Sequence, residues 1–236
     1  MKDRDLFDIV FDKIKKIGKF AGIFLLMMLW QSMLFFILEI FGIDINNLND
    51  TLKVVFMFIS DLLFLVLLFF IYRKDLTKEF KNFFNKKLFS NIRLSFNYWI
   101  VGLIIMVISN GIIAVITNRV LAGNEEAVRE LIDKFPIYMA FQVMLYAPIT
   151  EEMIFRKAIK KSIDNKWLYI LISGFIFGGL HVIGNVETSL DWLYLIPYCS
   201  LGFIFAMLYN RTNNIFSTIT AHSFHNTLAF ILYLLG

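Results

Sequence analysis

Two adjacent carboxylates, Glu151 and Glu152, stand in an otherwise apolar stretch of this 236-residue chain, and Arg156 follows Glu152 by four residues. The three histidines of the chain are confined to two later apolar stretches, one at His181 and the other around His222. An ionisable side chain inside an apolar span is costly, so each of these groups is a candidate functional residue.

The residue types in these stretches suit hydrolysis. A carboxylate can act as general base on a water molecule, and imidazoles can hold that water, ligate a metal or hydrogen-bond a developing oxyanion. Asn226 follows His222 by four residues, so both project from one helix face, and its amide is a suitable oxyanion donor. Glu152 and Arg156 have the same spacing and can form an ion pair. Residue types and spacing leave two alternatives open, which are a structural polar network between helices and a proton path in a transporter.

The composition is that of an integral membrane protein. Hydrophobic residues make up 58% of the chain and charged residues 18%, with a mean hydropathy of +0.69. A soluble domain has about 45–50% apolar and about 25% charged residues. These values exclude a soluble enzyme, a disordered chain and a nucleic-acid binder, so we expect the lipid bilayer and no nucleic acid as a partner.

Seven apolar stretches predict transmembrane helices, because backbone groups in hydrocarbon must hydrogen-bond within the segment. They cover about 20–41, 54–72, 98–117, 136–159, 167–183, 192–209 and 215–235. Between them, 73–97 is predicted to be a helix in the cytoplasmic interface and 124–135 a short amphipathic helix on the outer side, with Asn124 as its N-cap.

The cations of the chain are distributed unevenly between the two sides of these spans. Of 23 Lys and Arg residues, 19 fall in alternate segments that begin with the N-terminal one. The positive-inside rule therefore predicts a multi-pass protein of the plasma membrane with a cytoplasmic N-terminus and an outer C-terminus. An eighth membrane element would reverse the side of the C-terminus.

The depths of the polar groups along their spans agree with one shared site. Measured from the cytoplasmic ends, Glu151 lies roughly 15 Å deep, His181 roughly 21 Å and His222 roughly 11 Å, at 1.5 Å per residue. The spacing predicts that they meet in the cytoplasmic half to the middle of the bilayer. His225 is expected to face a neighbouring helix rather than to line this site.

Three motifs occur in order, each in an apolar helix: Glu151-Glu152-x-x-x-Arg156, Phe177-x-x-x-His181 and His222-x-x-x-Asn226. Together they resemble the signature of the CPBP family, the CAAX-prenyl-protease and bacteriocin-processing intramembrane proteases, also called the abortive-infection (Abi) family. The resemblance covers about 136–232. It implies an all-α fold, a polytopic membrane helix bundle with about seven to eight transmembrane helices and a conical intramembrane active site. It also implies a catalytic bundle over 98–236, preceded by N-terminal membrane helices and the interfacial segment over 1–97.

The resemblance assigns roles to the motif residues. Glu151 would be the general base, His181 and His222 would bind the water or a metal, and Asn226 would stabilise the oxyanion. The supporting residues would be Glu152, Arg156 and Phe177. The family is commonly labelled metalloprotease, yet a glutamate-driven mechanism without tightly bound metal is also proposed for it. A divalent metal such as zinc, held by Glu151, His181 and His222, would leave the other glutamate as the base.

The substrate follows less directly from the sequence. Richness in Lys, Asn, Ile and Phe is typical of a low-GC bacterium, in which protein prenylation is not expected. We therefore expect an intramembrane endopeptidase that cleaves a small peptide or a membrane-anchored protein, through a hydrophobic segment, near the cytoplasmic face. The alternative is a non-catalytic membrane protein, such as an immunity factor that binds a bacteriocin or its receptor.

Overall fold

The computed structural model describes residues 6–85 and 88–236. Within them it contains eight longer helices, two short 3-10 helices (Ile45–Asn47 and Ser189–Tyr194) and no strand. Residues 1–5 and 86–87, which belong to the predicted unit 1–97, lie outside the described residues. The helices are α1 (Leu6–Ile40), α2 (Asp50–Phe84), α3 (Leu88–Thr117), α4 (Gly123–Lys134), α5 (136–162), α6 (Lys166–Val182), α7 (Leu195–Thr212) and α8 (Ile215–Leu235). The predicted all-α class is confirmed.

Four helical segments are long and apolar enough to cross a membrane by length and composition: Val10–Ile40, Asp50–Phe84, Leu88–Thr117 and Ser189–Thr212. Helix α6 is apolar but has only 17 residues. The chain is therefore a multi-pass membrane protein, as predicted, while the total of seven to eight spans stays a prediction.

The segment predicted as one interfacial helix has a different structure. Residues 73–84 continue α2, and 88–97 begin α3. The aromatic side chains at the end of α2 explain the extension, because Phe80 and Phe83 pack against Phe216 of α8, with ring centroids 5.6 and 6.2 Å apart. Phe80 and Phe83 thus pack against the helix bundle and do not belong to a separate interfacial helix.

The short helix predicted after α3 is present as α4, but its N-cap differs from the prediction. Ala122 occupies the N-cap position, without a side-chain hydrogen bond, and Asn124 lies inside the first turn. A Cβ atom at Gly123 would lie 3.0 Å from the backbone oxygen of Asn185, so the absence of a side chain lets α4 approach the segment after α6.

Helix α5 contains two π-helical segments, Gln142–Tyr146 and Glu152–Ala158, on either side of Ala147–Glu151. Pro148 gives a local cause for the first one. It has no backbone N–H, and its ring would clash with the carbonyl four residues earlier in a regular helix. Such widened turns free backbone groups and occur frequently at functional sites.

Helices α6 and α7 pack closely through glycines. A Cβ atom at Gly178 would overlap Cys199, and one at Gly202 would lie 2.8 Å from the backbone oxygen of Gly174. The glycines of α6 therefore form an interhelical contact. It fixes the height and rotation of the helix that carries Phe177 and His181.

Candidate active site

A buried ion pair forms the base of the site. Glu152 Oε2 lies 3.0 Å from Arg156 Nε, and both side chains are fully buried. Arg156 Nη1 also donates to Ser173 Oγ of α6 at 2.9 Å, and its guanidinium lies 4.7 Å from the centre of the Phe177 ring. The positive charge is thus paired, hydrogen-bonded and covered by an aromatic face, which makes its burial tolerable.

His222 connects this ion pair to the neighbouring carboxylate. Its Nδ1 lies 3.0 Å from Glu152 Oε1, and its Nε2 lies 3.9 Å from Glu151 Oε2. Because Glu152 is paired with Arg156, its ionised carboxylate only accepts hydrogen bonds, so Nδ1 carries the proton. In the tautomer with its proton on Nδ1, the ring directs an Nε2 lone pair towards Glu151.

Glu151 has an unsatisfied oxygen. Its side chain is 21% exposed, and its buried Oε2 accepts no hydrogen bond from the part of the chain that the structure describes. Leaving a buried acceptor unpaired costs stability, so such a group is usually retained for something that binds there. The Glu151 side chain lines a cavity.

His181 is oriented by its own helix and by α7. Its Nδ1 lies 2.8 Å from the carbonyl oxygen of Phe177, which only accepts, so Nδ1 donates. The ring packs against Phe177 at 4.5 Å and against Tyr198 at 4.8 Å between centroids. Nε2 is therefore the nitrogen left with a lone pair, as in His222.

Asn226 uses one amide hydrogen to bind α5. Its Nδ2 donates to the carbonyl oxygen of Val143 at 2.8 Å, and Val143 lies in the first π-helical segment. The widened turn thus supplies the acceptor that orients the amide. The second hydrogen on Nδ2 remains for another acceptor.

A cavity of about 300 Å³ joins these groups, a volume at the lower end of the range for small-ligand pockets. Its walls include the four predicted catalytic residues as well as Phe177 and His225, whereas Glu152 and Arg156 support it from beneath. The cavity lining around the site includes these residues with titratable or polar side chains: Glu151, His181, Tyr198, His222, His225 and Asn226.

The position of His225 differs in part from the prediction. It does contact a neighbouring helix, because Trp99 Nε1 of α3 lies 3.3 Å from His225 Nδ1, but it also lines the cavity. An indole N–H only donates, so Nδ1 accepts, and the neutral ring carries its proton on Nε2. His225 is thus a hydrogen-bond donor of the site.

Several contacts of the site have no signal in the sequence. Trp99, Ser173 and Tyr198 reach the histidines and Arg156 from α3, α6 and α7. Each is an ordinary residue of an apolar helix with no motif spacing. Only the pairing of helices in space brings them to the site.

The predicted metal set is supported by donor chemistry but not by its arrangement. The Nε2 atoms of His181 and His222 both have free lone pairs, with the other ring nitrogen held by an oxygen, as metal-binding histidines usually are. Among residues 6–85 and 88–236, however, no three His, Cys, Asp or Glu side chains are placed so that they could hold one metal ion. We therefore derive no catalytic step through a metal.

The fold and the site define a multi-pass helical membrane protein with a carboxylate–histidine cluster inside its bundle. Residues 133–228 match the family model described as type II CAAX prenyl endopeptidase Rce1-like. This segment contains all three motifs, and the predicted resemblance to CAAX-protease-like enzymes is confirmed for it.

Curated relatives agree with this match. The chain is 34% identical over 152 residues to the Bacillus subtilis protein named "Putative membrane peptidase YdiL". The aligned residues make up 61% of this chain and 59% of that protein. It is 27% identical over 132 residues to "UPF0177 protein YxdF" of Lactococcus lactis, and the aligned residues make up 53% of this chain and 71% of that protein. An uncharacterized protein of Mycoplasma capricolum is 25% identical over 82% of this chain and 56% of its own length. The chain thus spans less than two thirds of the first of these relatives. No solved structure matches it.

Proposed function

We propose that this protein is an intramembrane endopeptidase that hydrolyses a peptide bond of a small peptide or a membrane-anchored protein. The observation that carries the proposal is the unpaired Oε2 of Glu151, a residue that lines the cavity. This oxygen lies 3.9 Å from His222 Nε2. A base with a free lone pair and a fixed imidazole beside it are what water activation needs. The plasma membrane and a cytoplasmic N-terminus are part of the same proposal.

The attacking water is held by two acceptors. Atoms 3.9 Å apart can both accept from one water at about 2.8 Å. The water then donates one hydrogen to Glu151 Oε2 and one to His222 Nε2. As its oxygen bonds to the carbonyl carbon of the substrate, the proton on the Glu151 side passes to the carboxylate, and the carbonyl electron pair moves onto oxygen.

The resulting oxyanion needs donors, and two side chains of the cavity offer them. Asn226 has its second amide hydrogen, and His225 has its Nε2–H. Breakdown of the tetrahedral species cleaves the C–N bond, and Glu151 returns its proton to the departing nitrogen. Preorganised donors of this kind contribute about 2.7–4 kcal/mol each to transition-state stabilisation.

Glu152, Arg156 and Phe177 act as positioning residues. Glu152 keeps the proton of His222 on Nδ1, and Arg156 keeps Glu152 ionised and in place. Phe177 covers Arg156 on one side, and its backbone carbonyl orients His181. Removing one of them disturbs the tautomer or orientation of a histidine without removing the base.

A comparison of two glutamine variants tests the proposal. Peptides from membranes and medium are compared by mass spectrometry for cells carrying wild type, Glu151→Gln or Glu130→Gln. Glu130 is exposed on α4 and serves as the matched control. We expect a product that requires Glu151, with a loss of at least about 100-fold in the first variant and none in the control. Identical peptide pools, at equal protein levels, would favour a binding or immunity role instead.

Metal dependence is tested separately. Purified wild-type protein is analysed for bound metal and assayed with and without a chelator. Loss of processing on chelation, restored by zinc, would require the side chains of Glu151, His181 and His222 to come together in a way that this structure does not contain.

A further inference from the structure

The bundle has two ends that differ in charge. At one, which we call the cationic end, Ser162 Oγ of α5 donates to the backbone oxygen of Lys16 of α1, and Lys161 pairs with Asp75 of α2. The turns between α5 and α6 and between α7 and α8 lie there. The other is the α4 end, where Arg119 lies within 3.5 Å of three carboxylates, those of Glu126, Glu187 and Asp191.

The cavity reaches from the site towards the α4 end. Helices α5 and α7 begin at this end and α6 and α8 finish there, and the cavity is lined by the corresponding parts of each. Its outer wall comes from α4 and its N-cap, through Ala122, Asn124 and Arg129. The remaining lining runs along α3, α7 and α8, and it includes Asn110, Pro197 and Tyr233.

Buried polar contacts fill the bundle between the site and the cationic end. Lys157, fully buried, pairs with Glu79 of α2. The same carboxylate accepts from the backbone N–H of Ile215 at 2.7 Å, and Asn214 Nδ2 donates to the backbone oxygen of Glu79 at 2.8 Å. Beyond Arg156, therefore, the core between α2, α5 and α8 is closed by paired polar groups, and separating Lys157 from Glu79 would leave charges unpaired.

The length of α6 also places the site nearer to the α4 end. Helix α6 has 17 residues, which is about 25 Å at 1.5 Å per residue and shorter than a hydrocarbon core of about 30 Å. His181 is the next-to-last residue of α6. Its ring thus lies where the helix ends below the membrane surface, and the cavity continues from there.

The charge distribution relates the two ends to the two faces of the membrane. Among the residues that the structure describes, the cationic end and the segments leading to it carry 15 Lys and Arg residues, and the α4 end carries four. The positive-inside rule makes the cationic end cytoplasmic. The closed side of the site then faces the cytoplasm, and the open side faces outwards.

We propose that the cavity takes its substrate from the non-cytoplasmic face, where it receives an apolar segment of an exported peptide or of a membrane-anchored protein. That the occupant is a substrate rests on the proposed function, but the direction of access does not depend on catalysis. It replaces the expectation, drawn from the sequence, of cleavage near the cytoplasmic face. The cavity is suited to an apolar segment, because its wall near α4 includes Val120, Val128 and Ile132.

Cysteine labelling tests the direction. In a Cys199→Ala background, Ala147→Cys places a thiol on the cavity wall one turn before Glu151, and Ala229→Cys places a second one on α8. Asp164→Cys, in the exposed turn after α5, is the control at the cationic end. A membrane-impermeant maleimide is applied to intact and to permeabilised cells.

We expect labelling of the Ala147→Cys and Ala229→Cys variants in intact cells, and labelling of Asp164→Cys only after permeabilisation. Labelling of the two cavity variants only after permeabilisation, or of neither in either sample, would overturn the inference. Labelling of Asp164→Cys in intact cells would overturn it as well. Because labelling needs no turnover, the result separates this inference from the proposed function: an inactive protein still reports its open side, and an active one can be open to the cytoplasm.

Discussion

Exchanging each of the two adjacent glutamates for glutamine should have different effects on stability and activity. In Glu152→Gln, one amide oxygen can still accept from His222 Nδ1, but the NH₂ group then faces the guanidinium of Arg156. A fully buried cation is left without its partner. Breaking a buried ion pair in this way costs about 3–5 kcal/mol of the free energy of unfolding.

Glu151→Gln removes no contact of this kind. Oε2 of Glu151 has no hydrogen-bond partner among the described residues, and the side chain is partly exposed to the cavity. We expect a change in unfolding free energy of less than about 1 kcal/mol. Activity should still fall by at least about 100-fold, because the base is lost.

The assay is denaturant unfolding of the purified protein in mixed micelles, followed by the fluorescence of its four tryptophans, beside the processing assay. We expect one unstable variant and one stable, inactive variant. This expectation is refuted if Glu152→Gln unfolds within about 1 kcal/mol of wild type, or if both variants are destabilised equally.

Two further pairs of residues give predictions of different kinds. Gly178→Ala should lower the free energy of unfolding by about 1–3 kcal/mol, because the added Cβ atom would meet the backbone of Cys199. Gly179→Ala should be close to neutral, because only a side-chain atom lies near, at 3.7 Å. Unfolding midpoints of the two variants check this, and equal midpoints would contradict it. Trp99→Phe removes the donor to His225 Nδ1 and should lower kcat with little effect on KM, since the imidazole can then turn or change tautomer; an unchanged kcat would show that His225 does not act on the reacting groups.

The helices were predictable from the sequence because long apolar runs in a membrane have few alternatives to a helix. All seven apolar stretches are helical in the structure. The boundaries at 84 and 88 were not predictable, since alternating Lys and Phe residues fit an interfacial helix as well as two helix ends. What decides between them is the aromatic contact with Phe216, which is distant in sequence.

The meeting of the predicted residues at one cavity could be anticipated from the sequence, but not all of the contacts between them could. Four-residue spacing predicts that Glu152 can pair with Arg156, and the ion pair is present at 3.0 Å. Depth along each span also brings His222 to Glu151. Depth does not tell which end of the bundle is filled by polar contacts, so the open side of the cavity could only be found from packing.

The helices before the matched family segment have a direct part in the geometry of the site. Asp61 of α2, fully buried, accepts from Tyr138 at 2.9 Å and from Gln142 at 2.5 Å. Tyr138 lies one turn before the first π-helical segment of α5, and Gln142 is its first residue. The carbonyl of Val143 in that segment accepts from Asn226. A buried carboxylate, whose other oxygen accepts from Gln31 of α1 at 2.9 Å, therefore holds the widened turn that orients the amide. The motifs supply the reacting groups, and a residue outside them sets where one of those groups points.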